Sequence, residues 1–120
     1  MQALDELVSI MHKLRAPGGC PWDREQTRQT LKTFLLEETY EALDAIDHED
    51  ETHLCEELGD VLTQIVFHSE IGTEKGTFTM EDVCSRVSAK LVRRHPHVFG
   101  DAQADTAGEV LKNWERLKRE

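Results

Sequence analysis

Two pairs of acidic residues lie at matching distances on either side of residue 49. Glu38 and Glu41 form the first pair. Glu57 and Asp60 form the second. Each pair has the i,i+3 spacing that places both side chains on one side of a helix. If a tight turn near residue 49 joins two such helices, the spacing predicts four carboxylates at one level of an antiparallel hairpin, roughly 12 Å from the turn at about 1.5 Å rise per residue.

Four carboxylates at this separation repel one another strongly, and the arrangement requires a cation. Hard oxygen donors favour magnesium, with manganese as an alternative, and such a metal commonly binds phosphate. A carboxylate-bridged di-iron site would use Glu-x-x-His, whereas both i+3 partners here are oxygen donors. His48 and His53 do not have the spacing of an HExxH zinc helix. Alternatively, the four residues are ordinary solvated surface acids. The presence of a second pair at the mirror-image position makes this alternative less favoured.

Helical periodicity dominates the chain, and strict alternation over a strand length is hard to find, so the sequence predicts an all-α bundle of four to five helices. Prolines and glycines between Ala16 and Asp23 separate the first helix from the second. The predicted helices cover about residues 4–14, 24–46, 52–74, a segment from Thr79 to before Pro96, and 110–120.

Residues typical of helix ends mark the later boundaries. Gly76 predicts a C-terminal cap for the third helix. Thr79 with Asp82, and Thr106 with Glu109, have the spacing of capping boxes that open the fourth and fifth helices.

The third predicted helix is apolar over much of its circumference from Val61 to Phe67. A helix with this pattern is usually buried on more than one side. We therefore expect the bundle to assemble as a homodimer or a larger homo-oligomer.

Length and charge bound the class of protein. The chain has 120 residues, 38% of them hydrophobic, which is enough for one compact domain with a single core, so we expect residues 1–120 to form a single domain. The 24 acidic residues outnumber the 14 Lys and Arg residues, and the formal charge is −10. This balance disfavours direct binding to nucleic acid or to an anionic membrane.

Cysteine usage and the absence of long apolar runs bear on location. Cys20, Cys55 and Cys84 are an odd number at spacings that match neither a disulfide framework nor a zinc ribbon. No stretch approaches the about 20 apolar residues of a membrane span, and the N-terminus lacks a basic region followed by an apolar run. The sequence therefore predicts reduced thiols and a cytoplasmic protein.

A local basic cluster interrupts the acidic chain. Lys90, Arg93 and Arg94 have i, i+3 and i+4 spacing on the fourth predicted helix and share one face, where they could clamp a phosphate group. A solvated basic face is the alternative interpretation. His95 and His97 follow, either as proton donors to a leaving phosphate or as structural residues that flank the end of the helix.

Five short strings occur in order along the chain: Cys20-Pro21-Trp22-Asp23, Gln26-Thr27, Glu37-Glu38-Thr39-Tyr40-Glu41, Glu56-Glu57-Leu58-Gly59-Asp60 and Arg94-His95-Pro96-His97-Val98-Phe99. Together they resemble the MazG family of nucleoside triphosphate pyrophosphohydrolases over essentially the whole chain. The resemblance implies an all-α dimer that cleaves nucleoside triphosphates between the α and β phosphates. It also implies that the family's magnesium-binding signature lies here at Glu38, Glu41, Glu57 and Asp60.

The same resemblance implies nucleotide contacts from Lys90, Arg93 and Arg94, with Trp114 or Lys118 as a further contact near the C-terminus. A divalent ion at the acidic cluster can bridge to phosphate oxygens and lower the pKa of a bound water. Glu37 adjoins the predicted ligands and is the candidate to orient or deprotonate that water, with an ordinary exposed acid as the alternative.

Two other interpretations remain open. The first and last strings resemble the N-terminal copy of MazG proteins that carry two tandem domains, so this chain could be a catalytically weak regulatory or dimerisation copy, or one half of a longer protein. A related all-α dUTPase-like pyrophosphohydrolase would share the metal chemistry.

Overall fold

The computed structural model describes residues 1–119, in which the regular structure is entirely helical. The all-α prediction is confirmed. Five of the seven helices in this part of the chain have at least 12 residues, and two are single turns. Their bounds are α1 Gln2–Arg15, α2 Pro21–Glu25, α3 Arg28–Asp47, α4 Glu51–Lys75, α5 Met80–Arg93, α6 Pro96–Phe99 and α7 Ala107–Lys118.

The helix predicted from residue 24 is interrupted at Gln26 and Thr27, and this part of the prediction is wrong. Both residues have extended backbone, with ψ angles of 143° and 170°. The Thr27 side chain accepts from the Thr30 backbone N–H, and the Thr30 hydroxyl in turn accepts from the Thr27 N–H. This reciprocal capping satisfies two amide groups and starts α3 four residues later than periodicity alone suggested.

Helices α3 and α4 form the antiparallel hairpin that the acidic spacing predicted. Glu49 adopts a left-handed conformation with φ of 53° in the turn. Asp50 then caps α4 by accepting from the His53 backbone N–H at 3.1 Å. At the far end, Gly76 has φ of 70° and caps α4 as expected. The turn is therefore tight enough to bring equivalent turns of the two helices face to face.

The chain divides into two compact units, and the first comprises residues 1–80. Its hydrophobic core is contributed by α1, α3 and α4. Apart from Glu57, the buried residues of α4 lie between Val66 and Gly72. The core residues are Met11, Leu31, Val66, Phe67 and Ile71, flanked by the partly buried Leu4, Leu7, Val8, Phe34, Leu62 and Met80.

Arg15 joins four segments of this unit. Its guanidinium makes a two-point ion pair with Glu74, with N–O distances of 2.6 and 2.8 Å. It also donates to the backbone carbonyls of Asp23 and Gln26 and lies over the Phe67 ring. The segment between α1 and α3 is thereby ordered. Trp22 in this segment packs edge-on against Phe34, with ring centroids 5.6 Å apart.

The second unit begins at Glu81 and carries most of α5 together with α6 and α7. The Thr106 side chain caps α7 by accepting from the Glu109 backbone N–H at 3.2 Å. The Glu109 carboxylate accepts from Asp105, one residue before the expected partner. The last residue of the predicted final helix, Glu120, lies outside the described residues.

The three cysteines are free thiols in the described structure. Within residues 1–119 the helices lack the combination of length and hydropathy that crossing a bilayer requires.

Candidate metal centre

The α3–α4 hairpin brings the two acidic pairs together. One carboxylate oxygen from each member lies within 4.8 Å of the others, and α3 and α4 contribute two members each: Glu38, Glu41, Glu57 and Asp60. Helical spacing aligns the members of a pair, and the tight turn sets the two pairs at the same level. The convergence is therefore the one that the sequence predicted.

The members of this acidic cluster differ in burial. Glu57 is only 8% exposed, and Glu38 is partly buried, whereas Glu41 and Asp60 are exposed. Among the described residues, neither Glu38 Oε2 nor Glu57 Oε2 has a hydrogen-bond partner, although both atoms are buried. An orphaned buried carboxylate oxygen is costly, and a hard divalent cation would satisfy both. The residues therefore fit an oxygen-ligated metal.

Electrostatic repulsion within the cluster shows in the pKa values. Partial burial raises the pKa of Glu38, and the negative charges of the other three members raise it further. The pKa of Glu41 is raised chiefly by its hydrogen bond to Glu57 and by the charge of that residue. A divalent ion bound here would offset the same repulsion, so protons and metal would compete for these carboxylates.

A groove of about 640 Å³ opens beside the cluster, lined by Tyr40, Glu41, Asp44, His53 and Glu57. His53 Nε2 lies 3.0 Å from Glu57 Oε1 and donates a hydrogen bond to it. Sequence reasoning set His53 aside because its spacing does not fit a zinc helix. The i,i+4 spacing from His53 to Glu57 was the signal that could have identified the pair.

Glu37, the predicted water-orienting residue, is exposed. The acidic cluster in residues 1–119 consists of four other carboxylates. Consecutive helical residues differ by about 100° in direction, so Glu37 and Glu38 leave α3 toward different sides. The role assigned to Glu37 stays a prediction.

The predicted phosphate-binding residues belong to the second unit. Lys90 and Arg93 are exposed on the last turn of α5, and Arg94 follows directly. The Arg94 guanidinium lies 5.2 Å from the centre of the Trp114 ring, a cation–π arrangement that joins two of the predicted nucleotide contacts. Lys118 is exposed at the end of α7. Nucleotide binding by these residues stays a prediction.

The contacts of His95 and His97 support their structural interpretation. His95 Nδ1 donates to the Leu91 carbonyl at 2.6 Å, and its ring packs against Trp114 and His97. In the first unit, Arg28 donates to the Nδ1 and the carbonyl oxygen of His68. Burial, and secondarily the Arg28 charge, lower the pKa of His68 and favour the neutral ring.

An all-α chain whose longest helices hold four convergent carboxylates defines a helical domain with a candidate oxygen-ligated metal site. The profile of the MazG nucleotide pyrophosphohydrolase domain matches residues 26–99, and the chain belongs to this family. The family resemblance inferred from the five strings is therefore confirmed.

Curated relatives match nearly the whole chain. It is 54% identical over 114 residues to the nucleoside triphosphate pyrophosphohydrolase/pyrophosphatase MazG of Thermotoga maritima, a match covering 95% of this chain and 43% of that protein. It is 51% identical over 121 residues to the nucleoside triphosphate pyrophosphohydrolase of Escherichia coli K12, covering 100% of this chain and 46% of that protein. The chain thus spans less than half the length of these relatives.

A solved structure shares the fold. The crystal structure of a mazG-related protein from Thermotoga maritima superposes with a TM-score of 0.77 at 26% sequence identity. The match covers 97% of this chain and 99% of that chain. The similarity therefore extends along both units of the present chain.

Proposed function

We propose that this domain hydrolyses ribo- or deoxyribonucleoside triphosphates to the nucleoside monophosphate and pyrophosphate, with magnesium as cofactor and manganese as an alternative. The convergence of four carboxylate oxygens within 4.8 Å carries the proposal. Family membership and the names of the relatives support the reaction class. When bound, the divalent ion supplies charge neutralisation at phosphate oxygens and activation of a water molecule.

The chain's own residues divide the work of holding that ion. Glu38 and Glu57 present oxygens that are already buried and, within residues 1–119, lack hydrogen-bond partners. Glu41 and Asp60 are exposed, so their carboxylates are accessible from solvent. Because α3 packs closely on α4, the distance between the two pairs is set by the fold before any ligand binds.

We assign Glu37 the role of orienting or deprotonating the attacking water. It adjoins Glu38 in sequence, and its exposure leaves the carboxylate accessible. Glu37→Gln is expected to reduce kcat by about 100-fold or more while the affinity for the metal is retained. An unchanged kcat would indicate that Glu37 is an ordinary exposed acid.

We assign the phosphate groups to the basic cluster Lys90, Arg93 and Arg94, with Trp114 and Lys118 as further nucleotide contacts. A triphosphate carries about four negative charges and is repelled by a chain of formal charge −10 unless local cations attract it. The cation–π contact between Arg94 and Trp114 holds the guanidinium in one orientation. Substitution of Arg93 or Lys90 by Met is expected to raise KM more than it lowers kcat.

We further propose that the domain works as a homodimer or larger homo-oligomer. Large apolar side chains with i, i+4 and i+7 spacing are exposed on α3, namely Leu36, Tyr40 and Leu43 at 58%, 64% and 50%. Leu58 and Ile65 are exposed on α4 at 52% and 38%. Apolar stripes on both helices of one hairpin are typical of a surface covered by another helical subunit.

The deciding experiment incubates the purified protein with a panel of nucleoside triphosphates and magnesium, and identifies the products by anion-exchange chromatography. Monophosphate with pyrophosphate is the expected result, and EDTA should abolish it. Diphosphate with orthophosphate, or no turnover of any nucleotide, would overturn the proposal.

Variants of the ligand set test the site within the same assay. Glu38→Gln and Asp60→Asn should each abolish turnover, because each removes one of the four charges that hold the ion. The matched control is Glu56→Gln, which removes an exposed acidic charge from the same helix as Asp60, outside the cluster. Metal binding without turnover in the unsubstituted protein would favour the alternative function, a regulatory or dimerisation copy.

A further inference from the structure

The most buried carboxylate of the acidic cluster has two oxygens in different environments. Glu57 Oε1 accepts a hydrogen bond from His53 Nε2 at 3.0 Å. Glu57 Oε2 is buried and has no such partner in the described structure. We propose that His53 is a positioning residue for the metal site. By occupying Oε1, it fixes the rotation of the Glu57 carboxylate and reserves Oε2 for the divalent cation.

The position of His53 is itself set by the start of α4. Asp50 caps the helix by accepting from the His53 backbone N–H at 3.1 Å, so His53 is held in the first turn. One helical turn later, at i,i+4, the imidazole reaches Glu57. A carboxylate oxygen only accepts, so the Nε2 atom carries the proton. A neutral imidazole can donate from Nε2, so the hydrogen bond does not require a charged ring.

A neighbouring histidine provides a contrast. His48 also lies four residues from an acid, Asp44, but its Nδ1 atom donates to the Asp44 backbone carbonyl at 2.8 Å. Its side chain is exposed to 70%, and that of Asp44 to 67%. The His53–Glu57 pair differs because the Glu57 side chain is only 11% exposed and belongs to the cluster. Hydrogen bonds that orient a metal ligand from outside typically change metal affinity by about 10- to 100-fold.

This inference rests on the metal-binding part of the proposed function, and its test measures binding of Mn²⁺ alone, without nucleotide. Free Mn²⁺ is followed by electron paramagnetic resonance during titration of the unsubstituted protein, His53→Ala, His53→Gln and the control His48→Ala. We expect His53→Ala to weaken binding by about tenfold or more. His53→Gln, whose amide nitrogen takes the place of Nε2, should stay within about threefold of the unsubstituted protein. His48→Ala should bind normally.

The outcomes separate the two proposals. If the unsubstituted protein binds no Mn²⁺, the metal site itself is wrong and the role of His53 is wrong with it. If the unsubstituted protein binds and His53→Ala binds equally tightly, the positioning role alone is overturned. The same conclusion follows if His53→Gln fails to restore affinity. His53→Asn, whose amide is too short to reach Glu57, replaces His53→Ala if that variant does not fold, and should show the same loss.

The melting temperature of the metal-free variants distinguishes positioning from a general contribution to the helix. If His53 only stabilised the first turn of α4, its substitution would lower the melting temperature together with the affinity for the metal. We expect metal affinity to fall while the metal-free melting temperature changes by less than about 3 °C, since a single i,i+4 side-chain pair is a small part of the stability of a helix.

Discussion

Glu41 and Glu57 face each other across the α3–α4 hairpin with carboxylate oxygens within 4.8 Å, and this close approach raises the pKa of Glu41. The two residues lie on different helices but are adjacent in the fold, because the turn at Glu49 reverses the direction of the chain. In the metal-free hairpin the carboxylates therefore repel one another, and binding of either protons or a cation reduces this repulsion.

The response of stability to magnesium should depend on pH. The folded-state pKa values of Glu38 and Glu41 are raised, so protonation of these groups stabilises the metal-free fold, and this contribution is lost as the pH rises through the folded-state values. Magnesium should therefore raise the melting temperature more at about pH 7.5 than at about pH 5, where protons compete with it. An ion at 100 times its Kd adds about 2.7 kcal/mol to the free energy of unfolding.

Differential scanning calorimetry with and without magnesium at both pH values measures this response. Glu38→Gln should raise the metal-free melting temperature at neutral pH by a few degrees, because it removes one of the repelling charges. It should also remove the shift in melting temperature that magnesium causes. Glu56→Gln, outside the cluster, should keep that shift. A magnesium effect of equal size at both pH values would contradict the assignment.

Arg15 should be a major contributor to the stability of the first unit. Arg15→Met removes the two-point ion pair with Glu74 and leaves the carbonyls of Asp23 and Gln26 without their donor. Glu74 is partly exposed, so solvent screens the ion pair, and we expect a loss of about 2 kcal/mol in the free energy of unfolding, measured by urea titration. The control Arg24→Met, at an exposed position on α2, should change it by less than about 0.5 kcal/mol.

The same ion pair should contribute to acid sensitivity. The hydrogen bond and charge of Arg15 lower the pKa of Glu74, so its stabilising contribution is present above the unfolded-state pKa and is lost as the pH falls through the folded-state value. Arg15→Met should therefore reduce the difference in unfolding free energy between neutral and acidic pH. An unchanged acid dependence would show that other carboxylates account for it.

Two glycines on α4 should respond to alanine in opposite ways. A Cβ atom at Gly72 would lie 2.7 Å from the Phe78 backbone oxygen and 3.1 Å from its ring, so Gly72→Ala should lower the free energy of unfolding by about 1 to 3 kcal/mol. A Cβ at Gly59 meets nothing within 4 Å in the described structure, so Gly59→Ala should raise it by up to about 1 kcal/mol through helix propensity. Chemical denaturation of both variants measures the contrast, and destabilisation by Gly59→Ala would indicate a contact made by another subunit.

The apolar stripe on α3 should control assembly. Leu43→Lys places a charge among Leu36 and Tyr40, and we expect it to shift a homodimer to monomer in size-exclusion chromatography with light scattering. Leu111→Lys introduces the same change on α7 of the second unit and should leave the mass unchanged. A monomeric mass for the unsubstituted protein would remove the proposed dimer while the metal site could still stand.

The all-α class and the convergence of the carboxylates were determined by the sequence, because both depend on short-range geometry. The i,i+3 spacing fixes which side chains share a face, and the short interval between the two helices fixes which turns come opposite each other. The cap at Gly76 was equally predictable, since a left-handed residue there needs glycine. The family could be inferred from the sequence because the five strings that carry the resemblance are short and local.

The tertiary structure decided burial and long-range partners, because these depend on how elements distant in sequence pack. Periodicity could not show that Leu31 would be fully buried while Leu43 would be half exposed, since both lie on apolar positions of one helix. The pairing of Arg15 with Glu74 joins residues 59 positions apart. Likewise, four similar acids became unequal only when packing buried Glu57 and left Asp60 exposed, and that inequality is what gives His53 a carboxylate to orient.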